Sequence, residues 1–141
     1  MKIGELARKA GTSVETIRFY EKESLLPEIA RTESNYRTYN EKHVERLLFI
    51  RHCRSLDMTL HEIRQLLRLK DAPRASCDDV NAILDQHIGH IEERLQNLHK
   101  LQGQLKTLRH FCDQASVGTH CGILGELEHL PSTVTHALAE N

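Results

Sequence analysis

CDDVNAILDQHIGHIEERLQNLHKLQGQLKTLRHFC, residues 77–112, is the stretch that decides how this chain folds. Leu84, Ile88, Ile91, Leu95, Leu98, Leu101, Leu105 and Leu108 recur in steps of three and four, ending at Cys112, and so share one helix face. Two successive steps of three break a strict heptad. The stripe is instead close to a palindrome about Leu95. An antiparallel helix pair that sets Cys77 opposite Cys112 also sets Leu84 opposite Leu105, Ile88 opposite Leu101 and Ile91 opposite Leu98. A two-fold antiparallel dimer requires this self-complementarity, and one copy of the chain leaves too little sequence to cover the stripe. Ser76 is the expected N-cap, with Asp78 and Asp79 in the first turn, where the helix dipole favours anions.

The cysteines at the ends of this segment suit the same arrangement. Thirty-five residues of helix from Cys77 to Cys112 rise roughly 52 Å. These two thiols of one chain cannot share a ligand, whereas those of two antiparallel chains can. Cys121 follows Cys112 after eight residues, with Gly118 to let the loop turn. The expected site joins Cys112 and Cys121 to Cys77 of the partner subunit, whose helix N-terminus stabilises negative charge. Three thiolates select soft, thiophilic divalent metals. Structural zinc ordinarily takes four Cys or His ligands, so three sulfurs suit a larger ion better. His120 is a candidate fourth ligand, although adjacent ligands such as His120 and Cys121 rarely coordinate together without strain. His87 and His90, one turn apart, are candidates for a second metal site with Glu62, His129 or His136, against the plainer reading of ten scattered, solvent-facing histidines. Cys53 has no partner cysteine nearby and reads as a buried structural thiol.

Upstream of this helix the chain changes character. Residues 1–75 hold 15 Lys/Arg against 11 Asp/Glu, and residues 76–141 hold 4 against 9, so a net charge of -1 conceals a front of +4 and a rear of -5. Such a front is the part expected to meet nucleic acid. Met1–Leu6 has no apolar signal region, and no stretch approaches the ~20 apolar residues of a membrane span. The expectation is therefore a cytoplasmic protein without membrane contact. Four cysteines in a reducing compartment argue for metal, redox or buried roles over disulfides.

The front half reads as helices. Ile3, Leu6 and Ala7, then Val14, Ile17 and Leu25, recur at helical spacing on either side of Gly11. Thr12-Ser13-Val14-Glu15 has the pattern of a capping box opening the second helix. Together they predict a helix-turn-helix, with Ala7 at the contact and Val14 and Ile17 facing inward. Arg31 to Tyr39 alternates aromatic and basic residues around Ser34-Asn35, which predicts a short β-ribbon wing. A third helix is expected from the Asn40 cap to about Ser55, and a fourth from the Thr59-Leu60-His61-Glu62 box. Asp71 to Ala75 breaks the pattern as a hinge. The fold class is mainly α. A winged helix-turn-helix domain (1–75) precedes a long antiparallel coiled-coil dimerisation helix (76–115), then a C-terminal metal-binding loop, short helix and tail (116–141).

Ile3-Gly4-Glu5-Leu6-Ala7, Thr16-Ile17-Arg18-Phe19-Tyr20-Glu21, Leu25-Leu26-Pro27, Asn35-Tyr36-Arg37-Thr38-Tyr39 and Leu56-Asp57-Met58-Thr59-Leu60 resemble the MerR family of transcriptional regulators. The resemblance is dense over residues 1–75, and Cys77-Asp78-Asp79-Val80-Asn81 with single Cys112 and Cys121 is most similar to its cadmium/lead-responsive subgroup. Monovalent-copper members carry Ser at the position of Cys77. Zinc-responsive members have a second cysteine where Asp113 stands, and iron-sulfur members a four-cysteine cluster in the loop. Mercury-responsive members share the three-cysteine arrangement. The resemblance implies a homodimer on a palindromic promoter operator in double-stranded DNA, with the second helix in the major groove. Ser13, Thr16, Arg18 and Tyr20 would contact DNA, and Tyr36 and Arg37 would grip phosphate. It further implies that Pb(II) or Cd(II), with Hg(II) or Zn(II) as alternatives, distorts the promoter for RNA polymerase. A metal-storage protein would explain the cysteines but not the helix-turn-helix. No Ser/His/Asp or Cys/His constellation, phosphate loop or acidic pair suggests an enzyme.

Overall fold

The computed structural model describes residues 1–112 and 121–129. Six helices and a two-stranded ribbon are seen among them: α1 (Ile3–Ala10), α2 (Val14–Lys22), β1 (Ala30–Arg31), β2 (Arg37–Thr38), α3 (Glu41–Ser55), α4 (Leu60–Asp71), α5 (Cys77–His110) and α6 (Gly122–Leu127). No helix among the described residues is long and apolar enough to cross a membrane.

The helix starts follow from local chemistry. Asn40 Oδ1 accepts the Lys42 N–H at 2.9 Å while His43 Nδ1 accepts the Asn40 N–H at 3.1 Å, so histidine fills the reciprocal role usual for Glu. At α4 the Glu62 N–H donates to Thr59 Oγ1 at 3.1 Å, and the Thr59 N–H donates to Glu62 Oε1 at 2.8 Å. The start of α2 differs by one residue from the expected box. Ser13 is the N-cap and takes the Thr16 N–H at 3.1 Å. Thr12 belongs instead to the end of α1, where its N–H closes on Ala7 O at 3.0 Å beside the Gly11 N–H on Arg8 O. Gly11, at φ 65°, supplies the left-handed turn that this closure needs.

Two apolar clusters hold the front unit, Met1–Leu84. Leu6, Ala7, Ala10, Ile17, Tyr39, Val44 and Leu47 join α1, α2, α3 and the end of the wing. Leu25, Ile50, Cys53, Met58, Ile63, Leu66, Leu67 and Ile83 join the segment after α2 to α3, α4 and the first turns of α5. Ile17, Ile50 and Ile63 are fully buried, each worth about 1.5–3 kcal/mol of transfer free energy. The packing of Val80 and Ile83 carries this unit past the hinge and into α5. Cys53 is buried, and burial raises its thiol pKa.

The wing is an antiparallel pair with Ala30 opposite Thr38 and Arg31 opposite Arg37. Its turn closes through the Asn35 N–H on Thr32 O and the Thr32 N–H on Tyr36 O, both at 2.8 Å. Asn35 takes φ 64°, a left-handed conformation that Asn tolerates better than most residues.

In the second unit, Asp85–Asn141, the described part of α5 presents an open apolar stripe. Ile88, Ile91, Leu95, Leu98 and Leu105 are all exposed, Leu105 by 65%.

Candidate nucleic-acid interface and metal centre

Helix α2 and the wing form a basic, concave face. Ser13 Oγ and Thr16 Oγ1 lie 2.8 Å apart at the start of α2, and Arg18 is exposed one turn along. Tyr20 is only half-exposed, because its ring reaches both apolar clusters, while Phe19 beside it is 45% exposed. Tyr36 stands 72% exposed near the wing turn. Arg18, Glu21, Lys22, Ile29, Arg31 and Arg37 line a cleft of about 440 Å³ between α2 and the wing.

Glu21 belongs to this cleft, although sequence reasoning did not single it out. Its two carboxylate oxygens divide between the Arg37 guanidinium and the Tyr39 hydroxyl. Burial first, then the hydrogen bond and charge of Glu21, push the Tyr39 hydroxyl up to about 12. No local signal marks it, because α2 and the residue after it carry Glu15 and Glu23 as well as Glu21 against Arg18 and Lys22. Arg31, whose Nη1 donates to Asn35 O at 3.3 Å, was also missed.

The thiols fall in two places. Cys77 opens α5 and is exposed, and the Asp79 N–H donates to Ser76 Oγ at 3.3 Å to start that helix. Cys112 lies two residues beyond the end of α5, and Cys121 is the residue before α6. The structure sets the Cys112 side chain close enough to Cys121 to favour the Cys121 thiolate. The Leu124 N–H, followed by those of Ile123 and the Cys112 thiol, lowers the Cys121 pKa against an opposing contribution from burial. A half-buried sulfur beside two backbone N–H donors and near a second sulfur suits a thiolate ligand for a soft cation.

Gly122 allows this approach. A Cβ there would lie 2.3 Å from the backbone oxygen of Phe111. His87 is buried and His90 exposed on α5, and His129 is exposed after α6. His120 and His136 lie outside the described residues.

Comparison with known proteins identifies the architecture. Residues 1–70 match the family profile described as MerR HTH family regulatory protein, and residues 44–108 the one described as MerR, DNA binding. The HTH-type transcriptional regulator ZntR homolog of Haemophilus influenzae is 46% identical over 109 residues, 77% of this chain and 81% of that protein. The transcription regulator PbrR691 from Ralstonia metallidurans, solved in complex with lead(II), superposes with a TM-score of 0.83 at 53% identity, covering 90% of this chain and 98% of that one. The dual-function regulator MerR from Bacillus megaterium, solved with mercury(II), gives a TM-score of 0.73 at 32% identity, covering 91% of this chain and 99% of that one. With profiles spanning residues 1–108 and relatives aligned over nine-tenths of its length, this chain belongs to the MerR family of helix-turn-helix transcription regulators, which act on DNA and are not enzymes.

Proposed function

We propose that this chain is a cytoplasmic, homodimeric activator of metal-resistance genes that binds a palindromic promoter operator and responds to Pb(II) or Cd(II). The reading rests above all on the Cys112–Cys121 thiol pair, two soft donors set at the end of a helix whose apolar stripe is open. The third donor in this reading is Cys77 of the partner subunit. An antiparallel pairing of α5 would cover the stripe of one protomer with that of its partner and bring each Cys77 to the far end of the other helix, giving two equivalent sites per dimer. The lead-bound relative, at 53% identity, favours a large thiophilic ion. The mercury-bound relative keeps Hg(II) as the next candidate. Zn(II) is less suited to a three-sulfur set, and His120, His87 and His90 are auxiliary candidates only.

Residues 1–75 serve as the DNA-binding domain, 76–115 as the dimerisation helix and 116–141 as the metal-binding loop, short helix and tail. Ser13, Thr16, Arg18 and Tyr20 meet the major groove, and Tyr36 and Arg37 meet phosphate. Phosphate contacts fix register and supply the salt-dependent part of affinity. Metal held across the dimer ends tightens α5 against the hinge and shifts the two DNA-binding units. Bending and untwisting a promoter costs about 1–6 kcal/mol by elastic estimates, within reach of a multi-thiolate metal site. RNA polymerase then engages both promoter elements.

The test is transcription from the cognate promoter in a purified system, titrated with Pb(II), Cd(II), Zn(II) and Hg(II). Activation at the lowest free concentration of Pb(II) or Cd(II) is expected. Metal that changes neither operator geometry nor transcription would overturn the reading, and failure to retard any palindromic promoter fragment would leave a metal-storage protein.

A further inference from the structure

A carboxylate in a surface built to receive a polyanion needs a reason to be there, and Glu21 sits inside such a surface. It is the penultimate residue of α2, and it lines the same cleft as Arg18, Lys22, Arg31 and Arg37. Left open to solvent it would repel phosphate. Its side chain is instead only 8% exposed, and both oxygens are engaged. Oε2 accepts from Arg37 Nη1, and Oε1 accepts from the Tyr39 hydroxyl.

Each partner has a different character. Tyr39 is fixed: it is 3% exposed in the front cluster, stands edge-on to the His43 ring at 5.2 Å, and its backbone N–H donates to Met1 O at 2.9 Å. Arg37 is on the other side of the carboxylate, on β2, with its side chain 47% exposed. A guanidinium offers five donors in a rigid planar fork. Engaging Nη1 with Glu21 restrains the fork and leaves its other donors unused by Glu21, on a residue that lines the cleft. A free arginine would have to give up its rotamer freedom each time it met DNA, and this one is held in advance.

We propose that Glu21 is a positioning residue for DNA binding: anchored by Tyr39, it holds Arg37 in the orientation that meets a phosphate and makes α2 and the wing engage DNA as one body. The inference rests on the reading that Arg37 contacts DNA phosphate, and the experiment separates the two.

The full-length homodimer is titrated onto the palindromic duplex that the wild-type protein enriches from a randomised library, at several salt concentrations, with thermal unfolding measured in parallel. Each phosphate neutralised on B-DNA contributes about -0.9 to the slope of log affinity against log salt. Glu21→Ala should weaken binding about tenfold and reduce the slope by about one contact per protomer, as Arg37→Ala does. The double variant should be no weaker than Arg37→Ala alone. Glu21→Gln retains an acceptor for Arg37 and a donor towards the Tyr39 oxygen, and should return the slope to near wild type.

Four results would overturn the proposal. Tighter binding with a steeper slope in Glu21→Ala would mean that the carboxylate only cancels positive charge. Weaker binding with an unchanged slope and a lowered melting temperature would mean that it only ties helix to wing. A Glu21→Gln slope as shallow as that of Glu21→Ala would show that holding the fork is not its role. If Arg37→Ala changes neither affinity nor slope, the phosphate contact is itself wrong and the proposal falls with it.

Discussion

Gly122 packs against the backbone of Phe111 so closely that a Cβ on it would lie 2.3 Å from the Phe111 carbonyl oxygen. That approach brings the start of α6 to the end of α5 and Cys121 to Cys112. Backbone cannot yield as a flexible side chain can, so Gly122→Ala must displace one helix end from the other. A misplacement of this kind should lower Pb(II) affinity by roughly 10–100-fold, as the loss of supporting contacts around metal ligands does. Isothermal titration with Pb(II) measures it, and Gly125→Ala, whose added Cβ meets nothing within 4 Å, is the control. Equal affinities in the two variants would count against a site built on Cys112 and Cys121.

Cys53 provides the converse case. It is buried in the rear cluster of the DNA-binding unit beside Ile50 and Ile63, and burial raises its thiol pKa. Cys53→Ser places a hydroxyl in apolar surroundings at a cost of about 1–3 kcal/mol. The urea midpoint should fall while the metal response of the folded protein is unchanged. A lost response at full stability would give Cys53 a role in sensing.

Arg64 on α4 ties this cluster to the end of α2. Its Nη2 donates to Glu23 O at 2.8 Å and to a Glu23 carboxylate oxygen at 3.3 Å. The carbonyl acceptor survives loss of the Glu23 side chain, and the half-exposed ion pair, at 3.3 Å, contributes little. Arg64→Ala should cost about 1 kcal/mol and Glu23→Ala distinctly less. Denaturant unfolding ranks the two, and the reverse order would make the ion pair the stronger link.

The Tyr39 hydroxyl gives the protein an alkaline limit. Its pKa is raised from 10.0 to about 12 in the folded chain, by burial first and by Glu21 second. Between those values the unfolded chain has lost the proton and the folded chain still holds it. The unfolded state therefore binds fewer protons, and stability falls as pH rises through that window. Urea midpoints on either side of it should drop more for wild type than for Tyr39→Phe. Equal drops would place the alkaline loss elsewhere.

Where a structural signal was local, it could be read from the residues. Asn40 and Thr59 cap α3 and α4 as expected, because a capping box is complete within four residues. The start of α2 slipped by one, because Thr12 is spoken for by the closure of α1, a contact its own box pattern does not reveal. The apolar stripe of α5 was legible as periodicity, and its exposure followed from how little chain is left to cover it. Glu21 went unselected because its partners Arg37 and Tyr39 lie 16 and 18 residues away, across the turn into the wing. Cys112 and Cys121 were chosen as a pair from chemistry and spacing, whereas the need for Gly122 emerges from a backbone approach that no spacing encodes.

The central claim is that each metal is shared between subunits, and mixed dimers test it most directly. Protomers carrying Cys77→Ser are combined with protomers carrying Cys112→Ser and Cys121→Ser, and Pb(II) binding is measured on the purified heterodimer. Neither homodimer has a complete three-thiol site. In the heterodimer, Cys112 and Cys121 of the first chain face an intact Cys77 of the second, so one high-affinity Pb(II) site per dimer is expected. A heterodimer that binds Pb(II) no better than either homodimer would contradict the account.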